Sequence, residues 1–411
     1  MKCSDYDLPT ARDKIFDRLC IVWNETRDST DPDIKEAWET DIWRKANTLQ
    51  ALALYWKTTA DGAQRQKAMD IMKEGYEFYK DFLNCPTKSK GIWVDDFGWW
   101  YGFFSDLAAY DSKLPEPFDA ANLLCEAKYC YRRMLINFDP KEGGVWNYEG
   151  GDQSEKNTVT NAWMLNVAAG LFYWTKEPQY KNMAEAQYLW LNTGKYKDYS
   201  PPNGWSLYNA ERLLWWLPGP PKDSGQYWSG DEGVFLRALI WYIDGVVTDP
   251  GVKREILGNC KNLITAALTP TDFLKKPVAH KGFPDTDNVM HESPASNWST
   301  TDLPTGKGVF MRLVTRFAVH YNFFDDSEFK QTFQTFVDAT AQSVWCSRDT
   351  TTDDKKINRT APNWNCPYKN TDCPLGPPEE GNAPRDGLLW PQVWQTDGLD
   401  ALNAAVQIHG A

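Results

Sequence analysis

Gln64 to Phe82 reads QRQKAMDIMKEGYEFYKDF. Met69, Met72, Tyr76 and Tyr79 recur every three or four residues, and Arg65, Lys67, Lys73, Glu74 and Glu77 fill the places between. That spacing puts the large apolar groups on one face of a helix and the charges on the other. The same period recurs in both directions along the chain. It marks helices over Thr10–Trp23, Ile34–Trp56, Asp96–Tyr110, Ala120–Ile136, Lys156–Trp174 and Pro178–Leu191. It continues over Glu232–Asp244, Lys253–Leu268, Lys307–Tyr321, Ser327–Val344 and Val393–Ile408. About twelve helices are expected, and no β-branched alternation long enough for a strand is seen.

Two irregular insertions interrupt the helical pattern, Lys195–Gly230 and Cys346–Pro391, the second rich in Pro, Asp, Asn and Thr. No shift in composition marks a linker, so residues 1–411 are expected to form one domain. A repeat solenoid would show a fixed sequence period, and the uneven helix spacing shows none. Paired helices of similar length therefore predict an all-α fold of the (α/α)6 toroid kind.

The chain has 411 residues, 42% hydrophobic and 24% charged, a balance that forms a packed core rather than a disordered chain. Its formal net charge of −12 argues against nucleic acid as a partner, which needs basic surface. No apolar stretch reaches the roughly 20 residues of a membrane span. Met1 to Leu19 has neither a basic n-region nor an apolar h-region, so the chain reads as cytosolic or as a mature form. The 21 tryptophans suit a sugar-binding groove, because indole faces stack on the apolar faces of sugar rings, but large aromatics also fill wide helical cores. A neutral oligo- or polysaccharide is the expected partner, and a monomer the expected state.

The nine cysteines have neither CxxC pairing nor zinc-ligand spacing. Cys20, Cys125, Cys130 and Cys260 are expected as buried thiols, and Cys366 and Cys373 as neighbours able to pair in an oxidising compartment. Only four histidines occur. His280 and His291 lie near Asp285 and Asp287, yet no metal site is expected. No phosphate loop, dinucleotide fingerprint or nucleophile elbow is present, and no cofactor is expected.

The sharpest chemical feature is Gly91-Ile92-Trp93-Val94-Asp95-Asp96-Phe97-Gly98-Trp99-Trp100. Asp is a common helix cap, and an acid in the first turn suits the helix dipole. One Asp suffices for a cap, however. Two like charges among the indoles of Trp93, Trp99 and Trp100 favour one protonated and one ionised carboxyl. Glycoside hydrolysis uses that division, with one carboxylate and one carboxylic acid flanking the scissile bond. Asp95 and Asp96 are therefore the candidate catalytic pair.

Further along, Gly143-Gly144-Val145-Trp146 forms a turn before Lys156-Asn157-Thr158-Val159-Thr160-Asn161. Asn157 and Asn161 share a helix face, where their amides suit sugar hydroxyls or a helix cap. Trp228 to Gly233 opens another helix with a second acidic pair, Asp231 and Glu232. The candidate substrate-binding residues are Trp93, Trp99, Trp100, Trp146, Asn157, Asn161, Trp228, Asp231 and Glu232.

Taken in order, these segments resemble glycoside hydrolase family 76, which includes endo-α-1,6-mannanases and fungal cell-wall relatives. The resemblance is carried by the Asp-Asp pair before an aromatic helix, the Gly-Gly-x-Trp turn, the Lys-Asn-x-x-x-Asn helix start and Lys307-Gly308-Val309-Phe310. It runs from about Trp43 to Ile408. It implies an (α/α)6 fold and a retaining mechanism acting on α-linked mannan, with Asp95 as nucleophile and Asp96 as acid/base. It also implies action outside the cell or at its surface. Where the family usually has Asn-Gln-Gly, this chain has Asp231-Glu232-Gly233, a change that suits a cationic group such as an amino sugar. Transglycosylation and non-catalytic carbohydrate binding are the alternatives on the same scaffold.

Overall fold

Aspartates mark where many of the helices begin. Asp7, Asp31, Asp119 and Asp326 each stand just before a helix and accept hydrogen bonds from backbone N–H groups of its first turn. Asp61 and Asp249 accept in the same way from Ala63 and Gln64, and from Gly251 and Val252. These carboxylates satisfy donors that a helix start leaves over.

The computed structural model describes residues 4–83, 92–110, 114, 116–148, 156–193, 228–271, 282–291, 306–350, 358 and 390–410. The described helices are α1 (Leu8–Arg27), α2 (Pro32–Thr40), α3 (Ile42–Thr58), α4 (Gly62–Leu83), α5 (Val94–Tyr110), α6 (Ala120–Leu135) and α7 (Thr158–Thr175). They continue with α8 (Pro178–Thr193), α9 (Ser229–Gly245), α10 (Pro250–Ala267), α11 (Gly306–His320), α12 (Ser327–Ser347) and α13 (Trp390–His409). The single helix expected over Ile34–Trp56 is two. Asp41, at φ −85° and ψ 89°, leaves the helical region and ends α2 before α3 begins. Among the described residues β-pairing is confined to isolated bridges such as Trp93 with Tyr148 and Phe138 with Val145. Most of the two expected insertions, with Cys366, Cys373 and His280, lies outside the described residues.

The chain divides into two compact units. The first holds Met1–Asp41, Trp228–Gly230 and Ile264–Ala411. Within it α13 packs against α1, α11 and α12. Its buried face carries an ion pair, Arg312 with Asp400. Gly308 lies so close to Asp397 that a β-carbon there would overlap the aspartate. The Lys307-Gly308 helix start is thus explained by close packing of α11 on α13.

The second unit holds Ile42–Tyr227 and Asp231–Leu263. Its centre is α5, packed on α3, α6 and α7. Gly98 and Gly102 let Trp163 of α7 approach; a β-carbon on Gly102 would stand 2.7 Å from that indole and 2.9 Å from Gln50 of α3. Gln50 in turn donates to the carbonyl of Trp99 at 2.9 Å. Arg237 of α9 reaches α5, where it pairs with Asp106 at 2.8 Å and donates to the carbonyl of Gly102 and the hydroxyl of Ser105. Both charges are buried, and the added hydrogen bonds offset their desolvation.

Cys20, Cys130 and Cys260 are buried free thiols, as expected, whereas Cys125 is free but exposed. It falls on the solvent side of α6, two residues past buried Leu123 and next to buried Glu126. Cys346 is disulfide-bonded.

Candidate active site

Val94 opens α5, which places Trp93 at the cap position and Asp95 and Asp96 at the second and third helical positions. The capping aspartates elsewhere stand one residue before their helices, so neither acid here occupies a cap position. Both do lie at the positive end of the helix dipole, which favours carboxylates. Their surroundings differ. Asp95 is half-buried, and its Oδ2 accepts from Trp99 Nε1 one turn later at 3.3 Å. Asp96 is only 5% exposed.

Trp93 is 51% exposed, and its ring meets Tyr148 edge-on at 5.1 Å. It is a large apolar face open to solvent beside the acids. Trp99 and Trp100 depart from the expected sugar-facing role, since they are 1% and 0% exposed. Trp99 contacts Trp43 at 5.4 Å and Trp163 at 4.9 Å, and Trp100 lies against Tyr79 of α4 at 4.4 Å. A helix packed on several neighbours buries successive side chains against different ones. Trp99 keeps a polar link to the site through its N–H, while Trp100 belongs to the core.

The expected sugar contacts of Asn157 and Asn161 are corrected by their hydrogen bonds. Asn157 caps α7, accepting from Thr160 N at 2.9 Å. Asn161 Oδ1 accepts from Val145 N at 2.7 Å, and its Nδ2 donates to Val145 O and Asn157 O. Both residues are buried, and both amides serve the chain's own backbone. Trp146 is likewise largely buried, with the Lys156 ammonium 4.3 Å above its ring. Lys156 pairs with Asp139 at 2.8 Å and donates to Gly143 O. Burial pushes the Asp139 carboxyl up, but Lys156 and the N–H groups of Lys141 and Glu142 outweigh it and hold the group below its ordinary value.

Trp228 is buried and stacked over Gly230, where a β-carbon would come within 2.6 Å of the indole. Asp231 and Glu232 follow in the first turn of α9, both wholly buried. In the first unit His291 is buried beside Asp285, its Nε2 3.4 Å from Oδ2. Burial lowers its proton affinity against the opposing pull of Asp285.

Residues 8–208 match the profile of glycosyl hydrolase family 76. Solved structures extend the likeness along the rest of the chain. One is an inactive variant, with two consecutive aspartates replaced by asparagine, of the α-1,6-mannanase GH76A of Salegentibacter sp. HEL1_6 in complex with α-1,6-mannotriose. It is 14% identical with a TM-score of 0.64, and the match covers 97% of this chain and 99% of that one. Over residues 8–208 the chain matches glycosyl hydrolase family 76 as a divergent sequence. A family 76 α-mannanase of Bacteroides thetaiotaomicron is 13% identical with a TM-score of 0.62, over 99% of this chain and 97% of that one. Dfg5 from Chaetomium thermophilum, in complex with glucosamine, is 17% identical with a TM-score of 0.66, over 100% of this chain and 93% of that one. No curated protein matches.

These likenesses show the all-α (α/α)6 fold that the helix pattern predicts, and the family 76 match over residues 8–208 supports a glycoside hydrolase by class. No helix among the described residues is long and apolar enough to cross a membrane. Several residues around the candidate site carry no local signal. Tyr148 and Trp190 stand far in sequence from what they touch. Trp190 lies against the turn, where a β-carbon on Gly143 or Gly144 would stand 2.9 Å or 2.6 Å from its indole. Arg237 and Asp106 were detectable in principle, since each is a charge set within the apolar middle of its helix.

Proposed function

We propose that the chain is a retaining glycoside hydrolase of α-linked, mannose-containing polysaccharide, with α-1,6-mannan the first candidate substrate. The observation that carries this is the pair of acids in the first turn of α5, one partly open and held by an indole N–H, the other buried. In this reading the Asp95 carboxylate attacks the anomeric carbon while Asp96 gives its proton to the departing glycosidic oxygen. The products are a glycosyl ester on Asp95 and the released sugar hydroxyl. Asp96, now ionised, takes a proton from water, which attacks the anomeric carbon and frees Asp95. The more buried Asp96 suits the group that starts with a proton, because burial disfavours charge. The Trp99 N–H stabilises the anionic form of Asp95. Trp93, exposed beside the pair, offers a sugar-stacking face. The Salegentibacter mannanase, inactive when two consecutive aspartates are replaced, supports the assignment by analogy.

A second reading keeps the same pair but lets an acceptor sugar hydroxyl take the place of water. It is favoured by the acidic Asp231-Glu232 start of α9, together with the glucosamine complex of Dfg5. Two carboxyls suit a glycan that bears a cationic amino group. Action outside the cell or at its surface is supported by the disulfide at Cys346, since such bonds persist in oxidising compartments.

The test is product analysis against α-mannans, galactomannans and amino-sugar polymers, using the native chain with Asp95→Ala and Asp96→Ala. The reading expects cleavage by the native chain and none by either variant. Turnover surviving in the double variant overturns the assignment. Binding with no products in any arm points to a carbohydrate-binding protein.

A further inference from the structure

We infer that the Gly-Gly-x-Trp loop, residues 139–148, is a clamp that sets where α5 begins, with Asn161 and Lys156 as positioning residues for Asp95 and Asp96. The inference rests on the reading of those acids as the catalytic pair. It replaces the sugar-binding role expected for Asn157 and Asn161.

The loop is closed on itself and gripped from α6, α7 and α8. Asp139 N donates to Gly144 O at 2.9 Å, Gly143 N donates to Asp139 O at 2.9 Å, and Trp146 N donates to Asn137 O at 3.0 Å. Asn137 is tied to the end of α6 through Arg133 O at 3.1 Å. Gly143 and Gly144 both have φ of +74°, and the Trp190 indole of α8 lies against them. A side chain at either position would meet both backbone strain and that ring.

The grip from α7 is the most specific. The Asn161 amide meets Val145 as a neighbouring peptide would, accepting from its N–H and donating to its carbonyl. Thr160 donates its hydroxyl to Asn147 Oδ1. Lys156, with no exposed side-chain surface, ties Asp139 to Gly143 O.

The loop makes two contacts with the site. Asn147 O accepts from Val94 N at 2.8 Å, so a loop carbonyl satisfies a donor of the first turn of α5. Tyr148 pairs with Trp93 through the isolated bridge and the edge-on ring contact. From Asn161 the path runs through Val145 and Asn147 to Val94, the residue before Asp95. A retaining pair needs its carboxyls about 5 Å apart across the sugar. A small shift of the helix start is therefore felt at once in the chemistry.

Asn161→Asp tests the clamp with almost no change of shape. It replaces Nδ2 with an oxygen facing Asn157 O, 2.8 Å away, and Val145 O, 3.2 Å away. Lys156→Met serves as a second variant should Asn161→Asp fail to fold. Amide hydrogen exchange reads the clamp without any need for turnover. The expected result is exchange at least about tenfold faster at Val94–Phe97, with α3 unchanged. Unchanged exchange at Val94–Phe97 in a folded variant overturns the clamp. On α-1,6-mannotetraose, kcat should fall about 10²-fold with KM nearly constant and a displaced pH–rate profile. A variant that only loses thermal stability, with native kcat and pH profile per folded molecule, also overturns it. Asp96→Asn, run alongside, separates the two ideas. If it retains full turnover the catalytic reading fails, whatever the exchange data say of the clamp.

Discussion

Helix α5 follows Trp93 and carries Asp95 and Asp96 in its first turn, while α9 follows Trp228 and carries Asp231 and Glu232 in its first turn. As strings of residues the two starts are alike, each an indole followed within four residues by paired acids. In space they diverge. Trp93 is half-exposed and Asp95 partly open, whereas Trp228 is 6% exposed and both α9 acids are sealed. Charge at a helix start is common to both, and access is what separates them. A carboxylate that attacks an anomeric carbon needs a path for the sugar as well as the dipole behind it. Lower down, the same two helices are joined by the Arg237–Asp106 pair.

The largest effect expected is at Asp95. Asp95→Asn should cost about 10⁴-fold or more in kcat on a responsive α-mannan, since it removes the proposed nucleophile. Asp96→Asn should cost about 10²- to 10⁴-fold, the usual worth of a general acid. It should be mildest on substrates whose leaving group needs no proton, as steady-state kinetics with an activated aryl mannoside would show. Comparable losses from neutral replacements in α9 would erase the distinction between the two starts.

Stability should respond most at the joint between the helices. Arg237→Met leaves Asp106 buried without its cation and should cost about 3–5 kcal/mol in denaturant unfolding. Adding Asp106→Leu should recover most of that loss. A full loss that persists in the double variant would mean that the pair does not account for the tie.

Smaller changes are expected at α9 itself. Asp231→Asn with Glu232→Gln restores the neutral amides usual in the family. Turnover of neutral mannan should change less than about tenfold, or 1.4 kcal/mol. Preference for amino-bearing glycans should fall, and competition assays with the two glycan types would read it.

The smallest effect concerns pH. Asp139 has a lowered folded pKa, so its contribution is complete above the unfolded value of about 3.9 and is lost as pH falls through the folded value. Protection of the α5 start from hydrogen exchange should therefore persist down to about pH 4 and weaken below it. Loss near neutral pH would point to another group.

Much of the fold was legible because helical period needs only local sequence. Met69, Met72, Tyr76 and Tyr79 all proved buried on α4. The break at Asp41 was hidden because apolar residues continue in step on both sides of it. The candidate pair was legible from its indole setting, but the direction of each indole was not. Trp93, Trp99 and Trp100 look equivalent in sequence, and only packing on α3, α4 and α7 decides that one faces solvent and two do not. Asn157 and Asn161 were visible as a motif, yet their partner Val145 lies across a loop. A four-residue spacing fits a sugar hydroxyl and a backbone peptide equally well.

In the proposed mechanism Asp95 forms the covalent bond to sugar. It is tested most directly by treating the native chain with a fluorinated mannosyl fluoride, which forms the glycosyl ester quickly and hydrolyses it slowly, and then mapping the labelled peptide by mass spectrometry. The proposed mechanism predicts a single fluoromannosyl adduct on Asp95, absent in Asp95→Asn. An adduct on Asp231 or Glu232, or turnover of the reagent with anomeric inversion and no adduct, would contradict it.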